Sequence, residues 1–182
     1  MPFTITQAGR YYFATNLTLN GTADEAIDVR TSNVTIDMNG FTLSGPGSSG
    51  NDATAIQVLS GRKYLTVTNG TIQNFGNHGI VSSNTSGEGN RIEGIRVSNV
   101  GETGFWLAGD GNLISDSVVE DSGSSVAAVR FGTGVIRSTT IIDPANGGIS
   151  ATRAIIVDTT VLGAPGVPIN NANGVTLSLI HI

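Results

Sequence analysis

Asn33-Val34-Thr35-Ile36-Asp37-Met38-Asn39-Gly40-Phe41-Thr42-Leu43 decides how this chain is read. Val34 and Ile36 alternate with Thr35 and Asp37, which is the pattern of a short strand with one face turned inward. Asn39-Gly40 then breaks the strand, and Leu43 starts another. The segment is too short to bury its own apolar side. It needs copies of itself above and below.

The copies are present. Ile36 recurs as Val67, Ile92, Ile114, Ile136 and Ile156, and Leu43 recurs as Ile72, Val97, Val119, Ile141 and Val161. A further family begins at Ile27, Ile56, Ile80, Phe105, Ala127, Ile149 and Ile169, with spacings of 29, 24, 25, 22, 22 and 20 residues. Three short strands per repeat, separated by Gly or Asn turns, cannot bury a core singly but stack into a continuous column. Each inward aliphatic contributes roughly 1.5–3 kcal/mol when that column closes. Coils of 20 to 29 residues exclude a strict six-residue left-handed helix, and neither a leucine-rich consensus nor a Gly-Gly-x-Gly-x-Asp calcium repeat is present. No stretch keeps a helical apolar period. The expected fold is all-β: a single right-handed parallel β-helix of about seven coils.

Composition agrees. Charged residues are only 13% of the chain, so Ser, Thr, Asn and Gly must cover the surface, and the 25 glycines lack the three-residue period of collagen. A net charge of −5 with one lysine, Lys63, and scattered arginines argues against a nucleic-acid surface. No apolar run reaches the roughly 18 residues that a membrane-spanning helix needs. The absence of cysteine removes disulfides and thiolate chemistry and leaves the redox compartment open.

The opening segment, Ile5 with Gly9-Arg10-Tyr11-Tyr12-Phe13 and Asn16-Leu17-Thr18-Leu19, reads as an aromatic half coil at 3–21 that caps the solenoid. Together with Asn33-Val34-Thr35-Ile36-Asp37 and Asn39-Gly40-Phe41-Thr42-Leu43, it resembles the opening coils of bacterial β-helix proteins of the pectin-lyase-like superfamily. The resemblance spans residues 3 to about 170. It implies the fold, a secreted or cell-surface location, and a carbohydrate-binding or polysaccharide-processing role. If the chain is an enzyme, the resemblance implies a polysaccharide lyase or glycoside hydrolase. The alternative is a non-catalytic spacer of a surface adhesin or phage-fibre-like protein. The N-terminus has no signal-peptide plan. Leu177-Ser178-Leu179-Ile180-His181-Ile182 resembles the forward translation of a transposase sequencing adapter, so the β-helix is expected at 1–176, on a truncated metagenomic frame, and His181 receives no role. An open final coil is then expected to self-associate, leaving the aromatic end free.

Each candidate site residue has a structural explanation beside its functional one. Trp106 lies between inward Phe105 and Leu107 and is expected to face solvent as a stacking platform for a sugar ring, or else to be covered by a neighbouring turn. Asp28, Arg30 and Arg130 join it as candidate ligand-binding residues on the same face, with Gln57, Ser83 and Thr152 also outward. Arg30 and Arg130 stand four coils apart, about 19 Å, too far for one catalytic centre. His78 offers acid-base help or is simply a turn histidine. Asp37, Arg91, Glu93 and Arg137 share a second face, and Asp116, Glu120 and Asp121 form the densest acidic group, where Ca²⁺ is conceivable although no cofactor or metal is expected. Asn39, Asn69 and Asn99 are expected to point inward at turns and bond the stack. No catalytic residue of pectate lyases finds a match, so none is carried over. Asn16, Asn33, Asn69 and Asn84 sit in glycosylation-like triplets that reflect composition alone.

Overall fold

Alternation turns every second side chain of a short strand inward, and the chain must bring those side chains together from residues far apart in sequence. In a computed structural model it does so as a parallel β-solenoid with no helix among the described residues. These are residues 2–21, 23–48, 52–123, 127–171 and 176–178, with backbone alone from 171 on. Most of the segment read as adapter-encoded, 179–182, lies outside them.

Strands β1 (Phe3–Ile5), β2 (Gly9–Tyr12) and β3 (Leu17–Thr18) form coil 1, and β4 (Glu25–Val29), β5 (Val34–Asp37) and β6 (Thr42–Ser44) form coil 2. β7 (Thr54–Val58) and β8 (Leu65–Phe75) form coil 3, and β9 (Ile80–Ser82) and β10 (Arg91–Val100) coil 4. β11 (Phe105–Leu107), β12 (Asn112–Ser115) and β13 (Val118–Ser122) form coil 5. β14 (Ala127–Arg137) and β15 (Thr140–Ile142) form coil 6, β16 (Gly147–Val157) and β17 (Thr160–Leu162) coil 7, and β18 (Ile169–Asn171) and β19 (Thr176–Ser178) open coil 8. Every pairing is parallel, and seven turns carry Thr4 through Asp28, Gln57, Val81, Trp106, Arg130 and Ser150 to Asn170 on the first face. Residues 3–21 make a full coil of three strands rather than a half coil.

The second and third inward columns run as the sequence spacing predicts. Ile36, Val67, Ile92, Ile114, Ile136 and Ile156 stack in register, as do Leu43, Ile72, Val97, Val119, Ile141 and Val161. The first column is different in one coil. Val129, not Ala127, lies opposite Phe105, so the coil spacing after Ile80 is 25, 24, 20 and 20 residues. Beside this column small residues stack at Ala26, Ala55, Gly79, Gly104, Ala128 and Gly148, and at the three glycines a Cβ would meet Val97, Val119 and Val161 of the third face. A Cβ on Gly104 would sit 2.6 Å from Val119 Cγ1.

Asparagine and aspartate serve the bends. Asn33, Asn39, Asn69, Asn74, Asn99, Asp116, Asp121, Asp143 and Asp158 all have positive φ, a region that short polar side chains tolerate best after glycine. That conformation leaves Asn39, Asn69 and Asn99 exposed, which corrects the inward placement expected for them. Asn99 bonds Asn74 rather than Asn69, with Nδ2 donating to Oδ1 at 2.7 Å. The inward amides are Asn90 and Asn112, both buried.

Candidate functional site

Turn length shapes the outer surface of the first face. The bend after the first-face strand spans 59–64 in coil 3 and 83–90 in coil 4, then shortens to 108–111 in coil 5. It vanishes in coils 6 and 7, where β14 and β16 run straight through. The long turn of coil 4 therefore stands beside a step. The step is a groove of about 410 Å³ whose lining includes Ser83, Thr85, Trp106, Arg130, Ser150 and Thr152. It reaches Asn170, and a smaller hollow of about 130 Å³ beyond shares Ser150 and Asn170 with it.

Trp106 is held by its neighbours. Phe105 and Leu107 are fully buried, which fixes the strand and turns the indole outward, where it is half-buried. Arg130, its register partner on coil 6, lies over the ring with Cζ 3.6 Å from the centroid. Such a contact is worth about 0.5–2 kcal/mol, more as it is desolvated. From coil 4, His78 meets the indole edge-on at 5.6 Å and 77°. The Nδ1 of His78 accepts the Thr103 N–H at 3.2 Å, so the neutral ring carries its proton on Nε2. Burial, then the charge of Arg130, lowers the His78 pKa to about 4. His78 is thus a neutral, half-buried prop for Trp106.

The groove lining has one cation and no carboxylate. Three other arginines pair with carboxylates. Arg30 Nε bonds Asp28 Oδ2 at 2.6 Å, Arg91 meets Glu93 at 3.8 Å, and Arg96 pairs with Glu120. Of the four residues expected to share a ligand site, the structure brings Trp106 and Arg130 together. Asp28 and Arg30 pair with each other three coils away, about 14 Å at one strand spacing per coil. The Arg130 guanidinium covers one face of the Trp106 ring, so only the other could serve as a platform. Gln57 Nε2 bonds the Val58 carbonyl at 3.2 Å, and Asp37 Oδ1 accepts the Asn39 N–H at 2.8 Å. Asp116 and Asp121 hold left-handed turns while Glu120 faces Arg96, so the acidic group is divided. Among the described residues no cluster of three or more His, Asp or Glu is placed to hold a metal ion.

The two-residue slip at Ala127 is what conceals the Trp106–Arg130 contact from sequence reading. With Ala127 set opposite Phe105, Ala128 falls opposite Trp106 and Arg130 drifts to the level of Ala108.

Residues 54–179 match the family described as the right handed beta helix region, and the chain belongs to that family. No curated protein and no solved structure matches it.

Proposed function

We propose that the first-face groove binds an acidic polysaccharide chain without cleaving it. The observation that carries this reading is the Arg130 guanidinium, laid on Trp106 in a groove whose lining holds no carboxylate. A guanidinium fixed in one plane suits a carboxylate or sulfate, which it can engage through two parallel N–H bonds. Ser83, Ser150, Thr152 and Asn170 add neutral donors and acceptors along a run from coil 4 to coil 8, about 19 Å at one strand spacing per coil. Proton transfer has little support: the Nδ1 lone pair of His78 is taken by Thr103, and no acid lines the groove. The resemblance to pectin-lyase-like proteins also supports a glycan ligand, by fold analogy.

Trp106 is the sole tryptophan, so its emission reports on the groove. Acidic polysaccharides should shift that emission and neutral ones should not. Arg130→Gln should weaken binding by about 10- to 150-fold, the equivalent of losing charge-assisted hydrogen bonds worth about 1.5–3 kcal/mol. A panel of acidic and neutral glycans that leaves the emission unchanged would favour the second reading, a rigid spacer. That reading draws on the rest of the surface, where Asp28–Arg30, Lys63–Glu88, Arg91–Glu93 and Arg96–Glu120 neutralise one another locally.

A further inference from the structure

The outer surface of the second face is unusual where coils 1 and 2 meet. Tyr11 lies opposite Ile36 of the inward column, so its strand neighbours Arg10 and Tyr12 turn outward, opposite Thr35 and Asp37. One strand spacing by two residues makes this patch about 5 by 7 Å, the size of a single sugar ring. Tyr12 is 75% exposed, whereas Tyr11 spends its hydroxyl on Gln7 C=O at 2.8 Å. Asn39 joins the patch from the bend after β5, where its φ is 52°. Its N–H donates to Asp37 Oδ1 at 2.8 Å, and its Nδ2 donates to Phe13 C=O at 3.5 Å. Both side chains are thereby held in place with Asp37 Oδ2 and Asn39 Oδ1 left open. The result is a hollow of about 270 Å³ lined by Arg10, Tyr11, Tyr12, Asp37 and Asn39.

The same rows differ on every later coil. They carry Thr66 and Thr68 on coil 3, and the row of Arg10 becomes Leu113, Val135 and Ile155 on coils 5 to 7. Coil 4 also offers a cation and a carboxylate, but Arg91 and Glu93 share a strand and pair at 3.8 Å. Arg10 and Asp37 stand on a diagonal instead, and Arg10 has no carboxylate partner among the described residues. A guanidinium, a carboxylate and an amide are thus left uncommitted around an exposed aromatic ring. A sugar hydroxyl both donates and accepts, so Asp37 and Asn39 can take its proton while Arg10 donates to its lone pairs. The phenol ring covers the apolar C–H face of the sugar. One positive and one negative side chain cancel, so an acidic sugar would be opposed by Asp37 and a basic one by Arg10. We infer that this hollow binds a neutral sugar unit, stacked on Tyr12 and held at its hydroxyls by Arg10, Asp37 and Asn39. The site is separate from the first-face groove and does not rest on the acidic-polysaccharide reading.

Saturation-transfer NMR with the methyl glycosides of glucose, galactose and mannose tests this directly. At least one should receive saturation from the protein, while the Trp106 emission, which reports on another face, stays unchanged. Tyr12→Ala should abolish the transfer, and Tyr64→Ala, at a tyrosine 49% exposed elsewhere, should leave it intact. Asp37→Asn keeps an acceptor for the Asn39 N–H but loses the charge. It should weaken the neutral glycoside about 10-fold or more, as should Arg10→Gln. Asp37→Asn should also admit methyl glucuronoside, which the parent hollow refuses; this comparison is made with Arg130→Gln in both proteins, so that the first-face groove does not contribute. Circular dichroism identical to that of the parent shows that the variants are folded. No transfer to any neutral glycoside, transfer that survives Tyr12→Ala, or a preference for neutral over acidic sugar that Asp37→Asn leaves unchanged would each overturn the inference.

Discussion

Asn112 supports Asn90 across adjacent coils: its Oδ1 accepts the Asn90 N–H at 3.0 Å, just as Asn90 Oδ1 accepts the Leu65 N–H at 3.0 Å. Asn112 Nδ2 donates to Gly109 C=O at 2.7 Å, and Asn90 Nδ2 to Ser82 Oγ at 3.3 Å. The side-chain amides thus complete the ladder at a bend where backbone pairing lapses. Asn112→Ala leaves a buried N–H without its acceptor and should cost about 1–3 kcal/mol. Urea unfolding measures it. A midpoint equal to that of the parent would show that water replaces the amide.

His78 gives the fold a pH dependence of known sign. Its folded pKa is about 4, below the 6.5 of an unfolded histidine. Between those values the unfolded chain takes up a proton that the folded chain refuses, so stability falls as pH drops through this window and is unaffected above it. Carboxylates titrate nearby, so the comparison is with His78→Asn. The parent should lose stability relative to that variant between pH 6.5 and 4. Parallel melting curves for the two would contradict the burial of the ring against Trp106.

Gly104 and Val119 set the thickness of the core behind Trp106. A Cβ at 104 would come within 2.6 Å of Val119 Cγ1 and 3.0 Å of Cγ2. Gly104→Ala should therefore destabilise by about 1–3 kcal/mol through overpacking. Adding Val119→Ala should recover part of that loss, a non-additivity that thermal melts of the four-member cycle would reveal. Additive losses would mean that the two faces are not in contact there.

The inward columns were legible in the sequence wherever strands are short and punctuated, as at Val34–Asp37 and Leu65–Val67, because one phase of alternation is then possible. β14 runs for eleven residues without an intervening turn. Phases two residues apart look alike in such a strand, so the spacing puts Arg130 on the face of Trp106 but two residues out of register with it. Outward placement of Asp28 and Arg30 follows from alternation, but their mutual pairing depends on side-chain reach, which spacing does not contain. Asn90 and Asn112 gave no signal at all. In a chain with asparagine at so many left-handed turns, an inward asparagine has no compositional mark.

The changing length of the first bend has a consequence for how such a protein can vary. Eight residues occupy that bend at 83–90 and none in the next coils but one, yet the strands on either side stay in register. Lengthening a flexible loop costs only about 0.6 kcal/mol per doubling. Insertions at 84–88 should therefore leave the stacked aliphatics undisturbed while redrawing the wall beside Arg130. The groove wall is adjustable at one corner, and what keeps the molecule upright lies elsewhere.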